Sequence, residues 1–96
     1  MKPSATLVNT ARGPIVDQAA LVAALQSGKL HSAGLDVFDR EPLAGAELAA
    51  LASVPGLVML PHVGSATTDT RAAMVDLAVD NILAVLDGRP PLTPVG

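Results

Sequence analysis

Apolar residues fall along the chain in short runs that alternate with helical patterns, and this alternation defines the predicted elements. After the first apolar run, Asp17 can cap a helix whose apolar positions recur at helical spacing and end before Gly28. One or two further helical turns are predicted over residues 47–52. The strands, short apolar or alternating runs bounded by turn residues, are predicted at residues 5–8, 32–38 and 57–60.

A long helix is predicted after the third strand. Ser65, Thr67 and Thr68 are candidate N-caps, and Gly88, followed by two prolines, marks the end of the helix. About 20 helical residues would span roughly 30 Å. The apolar positions form a single stripe that comprises Met74, Leu77, Ala78, Ile82, Val85 and Leu86.

Strands that alternate with helices indicate crossover connections and a parallel sheet, which places the chain in the α/β class. Such a sheet needs helices on both faces, and three strands with two substantial helices do not supply them. We therefore expect a slice of a larger doubly wound domain, with three strands, crossover helices and a long C-terminal helix.

Composition narrows the possible functions. Half of the 96 residues are hydrophobic but only Phe38 is aromatic, and the net charge is −3 with six scattered basic residues. No nucleic-acid partner is expected from such a surface. The chain has no cysteine and only two separated histidines, so no metal site is predicted. Without an apolar run of membrane-spanning length or a signal peptide, we expect a cytoplasmic protein with no membrane partner.

Four chemically active side chains follow the predicted strands. Arg12 comes after the first strand, Asp36 and Glu41 lie at and beyond the end of the second, and His62 follows the third. Ligands of open parallel sheets bind beyond the carboxyl ends of the strands. We therefore expect these four residues to converge at one edge of the sheet.

Each of the four side chains also has an ordinary structural explanation. Arg12 can be a solvated loop cation, Asp36 a turn cap, and Glu41 a loop acid that happens to precede a proline. His62 can simply mark the entry to the long helix. The other histidine, His31, precedes the second strand without a matching acid and is expected at the surface. Spacing alone leaves these alternatives open.

Three sequence motifs resemble those of the D-2-hydroxyacid dehydrogenase family. They follow the family's order and kind of spacing, and the resemblance runs over essentially the whole chain. Residues 64–67 and the Pro-Pro-Leu tail at 90–92 are most similar to the glyoxylate and hydroxypyruvate reductase branch. The motifs are LVNTARG at 7–13, GLDVF at 34–38 with EPL at 41–43, and LPHVGSAT at 60–67.

The resemblance implies an oxidoreductase that transfers a hydride between NAD(P)H and a small 2-keto or 2-hydroxy acid such as glyoxylate or hydroxypyruvate. Arg12 would hold the substrate carboxylate with its planar fork. His62 would be the acid–base catalyst, and Glu41 would bond its far ring nitrogen. The nicotinamide end of NAD or NADP would be bound by Thr10, Ala11, Arg12, Asp36, His62 and Gly64.

The resemblance also implies parts that the sequence does not show. The family's G-x-G-x-x-G turn does not occur among the eight glycines. Residues 1–96 are therefore expected to be the C-terminal portion of a Rossmann-like dinucleotide-binding domain, without its glycine-rich turn or a substrate domain. We expect the isolated chain to be inactive and the full-length protein to be a homodimer. The alternative is a non-catalytic α/β fragment that acts as an interaction or structural module.

Overall fold

The computed structural model describes all residues, 1–96, in two units that comprise residues 1–64 and 65–96. The first unit contains three strands and two α-helices, and the second contains one long helix and the C-terminal tail. The elements are β1 (Thr6–Asn9), a 3-10 helix (Gly13–Ile15), α1 (Gln18–Gln26), β2 (Ser32–Leu35), α2 (Gly45–Ala52), β3 (Leu57–Met59) and α3 (Thr68–Leu86).

The three strands form one parallel sheet in the order β1-β2-β3. In the register, Val8 lies opposite Gly34, and Gly34 lies opposite Val58. The predicted α/β class, with helices connecting successive parallel strands, is therefore confirmed. Because all three strands run the same way, their carboxyl ends meet at one edge of the sheet.

The core of the first unit lies on one face of this sheet. Buried leucines of α1 and α2 pack there against alternate residues of the strands, because successive strand side chains point to opposite faces. On the other face, Val8 is 68% exposed and Val58 is 63% exposed. The buried residues of the core are Leu21, Leu25, Leu30, Ala33, Leu35, Phe38, Leu51 and Val54.

The helix caps agree with the sequence pattern. The Asp17 side chain accepts a hydrogen bond from the amide of Ala20 at 2.9 Å, which confirms it as the N-cap of α1. The predicted turns at 47–52 begin two residues earlier, at Gly45, after an Ala44 that makes no side-chain cap. Residues 13–15 form a short 3-10 helix with Pro14 near its start.

Two strands end earlier than the sequence predicts. β2 stops at Leu35 instead of Phe38, and β3 stops at Met59 instead of residue 60. Single backbone bonds continue the ladder, from Asp36 N to Asn9 O at 3.0 Å and from residue 60 N to Leu35 O at 2.9 Å. The regular pairing of the strands stops there.

In the second unit, Thr67 caps α3 by accepting from the amide of Thr70, which selects one of the three predicted caps. Gly88, with φ of 73°, ends the helix as predicted. The tail folds back, since Thr93 N donates to Asn81 Oδ1 at 3.0 Å. The predicted apolar stripe of α3 is exposed. None of the helices combines the length and apolar character needed to cross a bilayer.

A substitution at Gly13 tests how closely the segment after β1 must approach the segment after β2. A Cβ on this residue would lie 2.0 Å from the Phe38 carbonyl oxygen, and that atom belongs to backbone that cannot rotate away. We expect Gly13→Ala to destabilise the fold by about 3 kcal/mol, at the upper end of overpacking costs. Chemical denaturation monitored by circular dichroism measures this loss.

Gly34→Ala is the matched control for Gly13→Ala. A Cβ on Gly34 meets only the Val8 methyl group, at an ordinary distance of 3.9 Å, on the exposed face of the sheet. Alanine is also no worse than glycine in a strand, so stability should be unchanged or slightly higher. Equal losses in the two variants would contradict the steric role of Gly13.

Candidate active site

The carboxyl edge of the sheet carries three loops, which we name from the residues they contain. The arginine loop comprises residues 10–13, the acid loop residues 36–44, and the histidine loop residues 60–64. Each follows one strand, so the parallel sheet itself brings them together. This is the edge at which the sequence places the candidate catalytic residues.

Glu41 and His62 form a direct pair between the acid and histidine loops. His62 Nδ1 lies 2.6 Å from Glu41 Oε2, and the two side chains are 44% and 32% exposed, respectively. The second carboxylate oxygen of Glu41 accepts from the amide of Phe38 at 2.8 Å. The predicted dyad is therefore present in the geometry, and a backbone donor from its own loop fixes the acid.

The bonds to Glu41 favour its ionised form. The hydrogen bond with His62 is the main cause that lowers the pKa of Glu41 below its ordinary value of 4.5, and the Phe38 amide lowers it further. The positive charge of Arg12 contributes in the same direction. Because an ionised carboxylate only accepts hydrogen bonds, we assign the ring proton to Nδ1 of His62. In the neutral ring, Nε2 then carries a lone pair and can accept a hydrogen bond.

Arg12 lies in an exposed arginine loop that a buried asparagine holds in place. Asn9, 6% exposed, donates from Nδ2 to the carbonyl of Arg12 at 2.9 Å and accepts from the amide of Ala11 at 3.1 Å. The guanidinium of Arg12 makes no salt bridge, and its Nη1 bonds only the carbonyl of Ala11. A planar fork without an acidic partner suits a substrate carboxylate.

The arginine loop also touches the acid loop directly. Gly13 is buried, and only its lack of a side chain allows the backbone of Phe38 and Asp39 to pass so close. This contact places Arg12 near enough to Glu41 for its charge to affect the pKa of the acid. Sequence reasoning did not assign a role to Asn9 or Gly13. An asparagine at the start of a turn was the available signal for Asn9.

Asp36 is 3% exposed, and both of its carboxylate oxygens are occupied. Oδ1 accepts from the amide of Val63 at 2.8 Å, and Oδ2 accepts from the amide of Gly64 at 2.7 Å. These two predicted cofactor residues, Asp36 and Gly64, are therefore brought together. Thr10 and Ala11 are exposed in the arginine loop, and His31 is exposed as predicted.

A largely apolar cavity of about 530 Å³ adjoins the dyad. No three His, Cys, Asp or Glu side chains lie close enough together to hold a metal ion. The cavity therefore offers apolar contacts beside a single acid–base pair. Its lining residues are Phe38, Glu41, Pro42, Leu43, Leu48, Met59, Leu60, Pro61 and His62.

The lowered pKa of Glu41 predicts a specific dependence of stability on pH. A carboxyl group with a lower pKa in the folded state binds fewer protons there than in the unfolded chain. Its stabilising contribution is present above the ordinary value of 4.5 and is lost as pH falls through the lower folded value. We expect the stability difference between the wild type and Glu41→Gln to shrink as pH falls below 4.5.

Urea unfolding between neutral and acidic pH measures this difference. Glu47→Gln is the control, because Glu47 lies in α2 and forms no salt bridge. A difference between the wild type and Glu41→Gln that stays constant across the whole acidic range would contradict the inferred ionisation of Glu41.

Comparison with known proteins identifies relatives of this chain. The chain matches the family described as D-isomer specific 2-hydroxyacid dehydrogenase, NAD binding domain, over residues 1–64, which is 64 of its 96 residues. It is 57% identical over 90 residues to glyoxylate/hydroxypyruvate reductase B of Erwinia tasmaniensis, covering 93% of this chain and 27% of that protein. The corresponding protein of Serratia proteamaculans is 53% identical over 88 residues, covering 92% and 26%.

Solved structures give the same result. The chain is 50% identical to the NADPH-dependent glyoxylate/hydroxypyruvate reductase of Sinorhizobium meliloti in complex with NADP and malonate, with a TM-score of 0.86. That match covers 98% of this chain and 28% of the reductase. D-mandelate dehydrogenase of Rhodotorula graminis is 44% identical with a TM-score of 0.82, covering 100% and 27%.

The predicted Rossmann-type fold is thus confirmed by structural neighbours that are NAD(P)-dependent dehydrogenases. The chain spans about a quarter of the length of the curated relatives it matches. With its arginine, acid and histidine motifs on one edge of a parallel sheet, the chain belongs to the D-isomer specific 2-hydroxyacid dehydrogenase family, and its residues 1–64 match the NAD-binding domain of that family.

Proposed function

We propose that this chain supplies the acid–base pair and the carboxylate-binding arginine of an NAD- or NADP-dependent reductase of small 2-keto acids, such as glyoxylate or hydroxypyruvate. The observation that carries the proposal is the 2.6 Å contact between His62 Nδ1 and Glu41 Oε2, beside an Arg12 that has no acidic partner. The reductase names and bound NADP of the relatives support the substrate class and the cofactor.

In this proposal, His62 delivers a proton to the substrate carbonyl oxygen during reduction and removes it from the hydroxyl group during oxidation. Glu41 holds the ring in the tautomer with the proton on Nδ1 and stabilises the imidazolium form. Arg12 binds the substrate carboxylate through paired, charge-assisted bonds. The nicotinamide cofactor, when bound, supplies or accepts the hydride.

Thr10, Ala11, Arg12, Asp36, His62 and Gly64 remain the proposed residues at the nicotinamide end of the cofactor. We also propose that residues 1–96 are the C-terminal portion of a dinucleotide-binding domain, and that the complete reductase is a homodimer. The cytoplasmic location expected from the sequence stays a prediction. The isolated chain is expected to be inactive, so its catalytic residues are best tested within a complete reductase.

A hybrid reductase tests the proposed function. The matching residues of the Erwinia tasmaniensis enzyme are replaced by those of this chain, and oxidation of NADPH or NADH is followed with glyoxylate and hydroxypyruvate. We expect the hybrid to turn over. Its His62→Gln variant should lose a factor of about 10²–10⁴ in kcat, the usual contribution of a general acid–base catalyst.

His31→Gln is the matched control, because His31 is exposed and lies before β2, away from the carboxyl edge. It should leave the rate unchanged. A hybrid that folds, as shown by circular dichroism, but does not turn over would instead favour the alternative of a non-catalytic interaction or structural module.

Arg12 gives a separate test of substrate binding. In the hybrid reductase, Arg12→Ala should raise KM for 2-keto acids and lower kcat/KM by roughly two orders of magnitude, since removing one partner of a desolvated charge pair costs about 2–5 kcal/mol. Arg12→Lys should recover only part of the loss, because an ammonium group lacks the planar fork.

Arg40→Ala is the control for Arg12→Ala, because Arg40 is an exposed cation of the acid loop. It should behave like the wild type. An uncharged ketone provides the second comparison. If Arg12→Ala reduced turnover of the ketone and of the keto acid equally, Arg12 would not be the carboxylate-binding residue.

A further inference from the structure

The carboxylate of Asp36 is bound to the histidine loop through backbone amides. It follows β2 directly, is 3% exposed, and accepts from the amides of Val63 and Gly64 at 2.8 and 2.7 Å. Its own amide donates to the carbonyl of Asn9 at 3.0 Å. Asp36 therefore connects the end of β1 with the two residues that follow His62 in sequence.

His62 has an unusual backbone conformation. Its φ of 55° lies in the left-handed region, and it is the only residue other than glycine with a positive φ. Such a residue persists only where surrounding contacts hold it there. Two contacts are present, the bond from the ring to Glu41 and the bonds from the following two amides to Asp36.

We propose that Asp36 is a positioning residue, whose two bonds to the histidine loop hold His62 in the left-handed conformation that places Nδ1 on Glu41. The inference rests on the proposed function, in which His62 is the acid–base catalyst. It adds a role to Asp36 beyond the proposed contact with the nicotinamide. Because each carboxylate oxygen has more than one lone pair, the two roles are compatible.

The negative charge and the shape of Asp36 both matter for this role. A carboxylate accepts on both oxygens, and its bonds to backbone amides are charge-assisted and short. Asparagine has nearly the same size but keeps only one acceptor oxygen, and its NH₂ group would face one of the two amides. Asp36→Asn therefore removes one of the two bonds with little change in volume.

The effect on His62 can be measured by NMR of the labelled 96-residue chain. In the wild type we expect a single His62 tautomer and a protected, downfield Nδ1 proton bound to Glu41. Asp36→Asn should shift or broaden that proton, populate the second tautomer and move the amide signals of Val63 and Gly64. Asp39→Asn, an exposed acid of the same loop, should change none of these signals.

A folded Asp36→Asn chain whose His62 tautomer and Nδ1 proton match the wild type would overturn the proposal. If that variant does not fold, Gly64→Ala decides, because its Cβ would lie 2.9 Å from Asp36 Oδ2 and would displace the carboxylate. Loss of the single His62 tautomer in Gly64→Ala supports the proposal, and an unchanged tautomer contradicts it. His31 is the internal reference in every spectrum.

Kinetics of the hybrid reductase separate the positioning role from cofactor binding. If Asp36 positions His62, Asp36→Asn should lower kcat about a hundredfold, the usual effect of misplacing a catalytic group by about 1 Å, whether or not KM for NADPH also rises. A raised KM for NADPH with unchanged kcat would instead assign Asp36 to the cofactor alone. If His62→Gln itself were fully active, the proposed function would fail, while the NMR result on loop geometry would stand.

Discussion

The buried carboxylate of Asp36 is the constraint on which the geometry of the carboxyl edge depends. A buried charge is tolerated only when its oxygens are hydrogen-bonded, and here the available donors are amides of the histidine loop. The loop must therefore pass directly over the end of β2. β2 ends at Leu35, the residue before Asp36, and the chain has a positive φ at His62, the residue before the two bonded amides.

Two further contacts make the edge one interlocked structure. Gly13 allows the arginine loop to lie against the backbone of Phe38, and Glu41 bonds both the Phe38 amide and His62. The acid loop is thus the centre, with the arginine loop on one side and the histidine loop on the other. The contacts at Gly13 and Phe38 involve backbone groups, whereas the bond between Glu41 and His62 joins two side chains.

Much of this arrangement can be predicted from the sequence, because strands and helix caps are indicated by residues that are neighbours in the sequence. Apolar runs locate the strands within a few residues, and Asp17 identifies the start of α1. The topology of a parallel sheet predicts that Glu41 and His62 lie at the same edge. Their direct bond was predicted from the family resemblance. Asp36 bonds the amides of Val63 and Gly64, which lie 27 and 28 positions further along the chain. No pattern of neighbouring residues in the sequence predicts these bonds. The same is true of Gly13, whose steric neighbour is the carbonyl of Phe38.

The loops at the carboxyl edge and the faces of the sheet depend on different interactions. In the proposed mechanism, proton transfer uses the pair of His62 and Glu41. The loops of residues 1–64 hold these two side chains at hydrogen-bond distance, with one bond from the Phe38 amide to Glu41. Val8 and Val58, by contrast, leave one sheet face largely exposed. A doubly wound sheet buries both of its faces, whereas this sheet is covered by helices on one face only. The bond between Glu41 and His62 is nevertheless formed. Catalytic geometry of this kind depends on short loops and buried polar bonds, whereas the stability of the sheet depends on apolar cover.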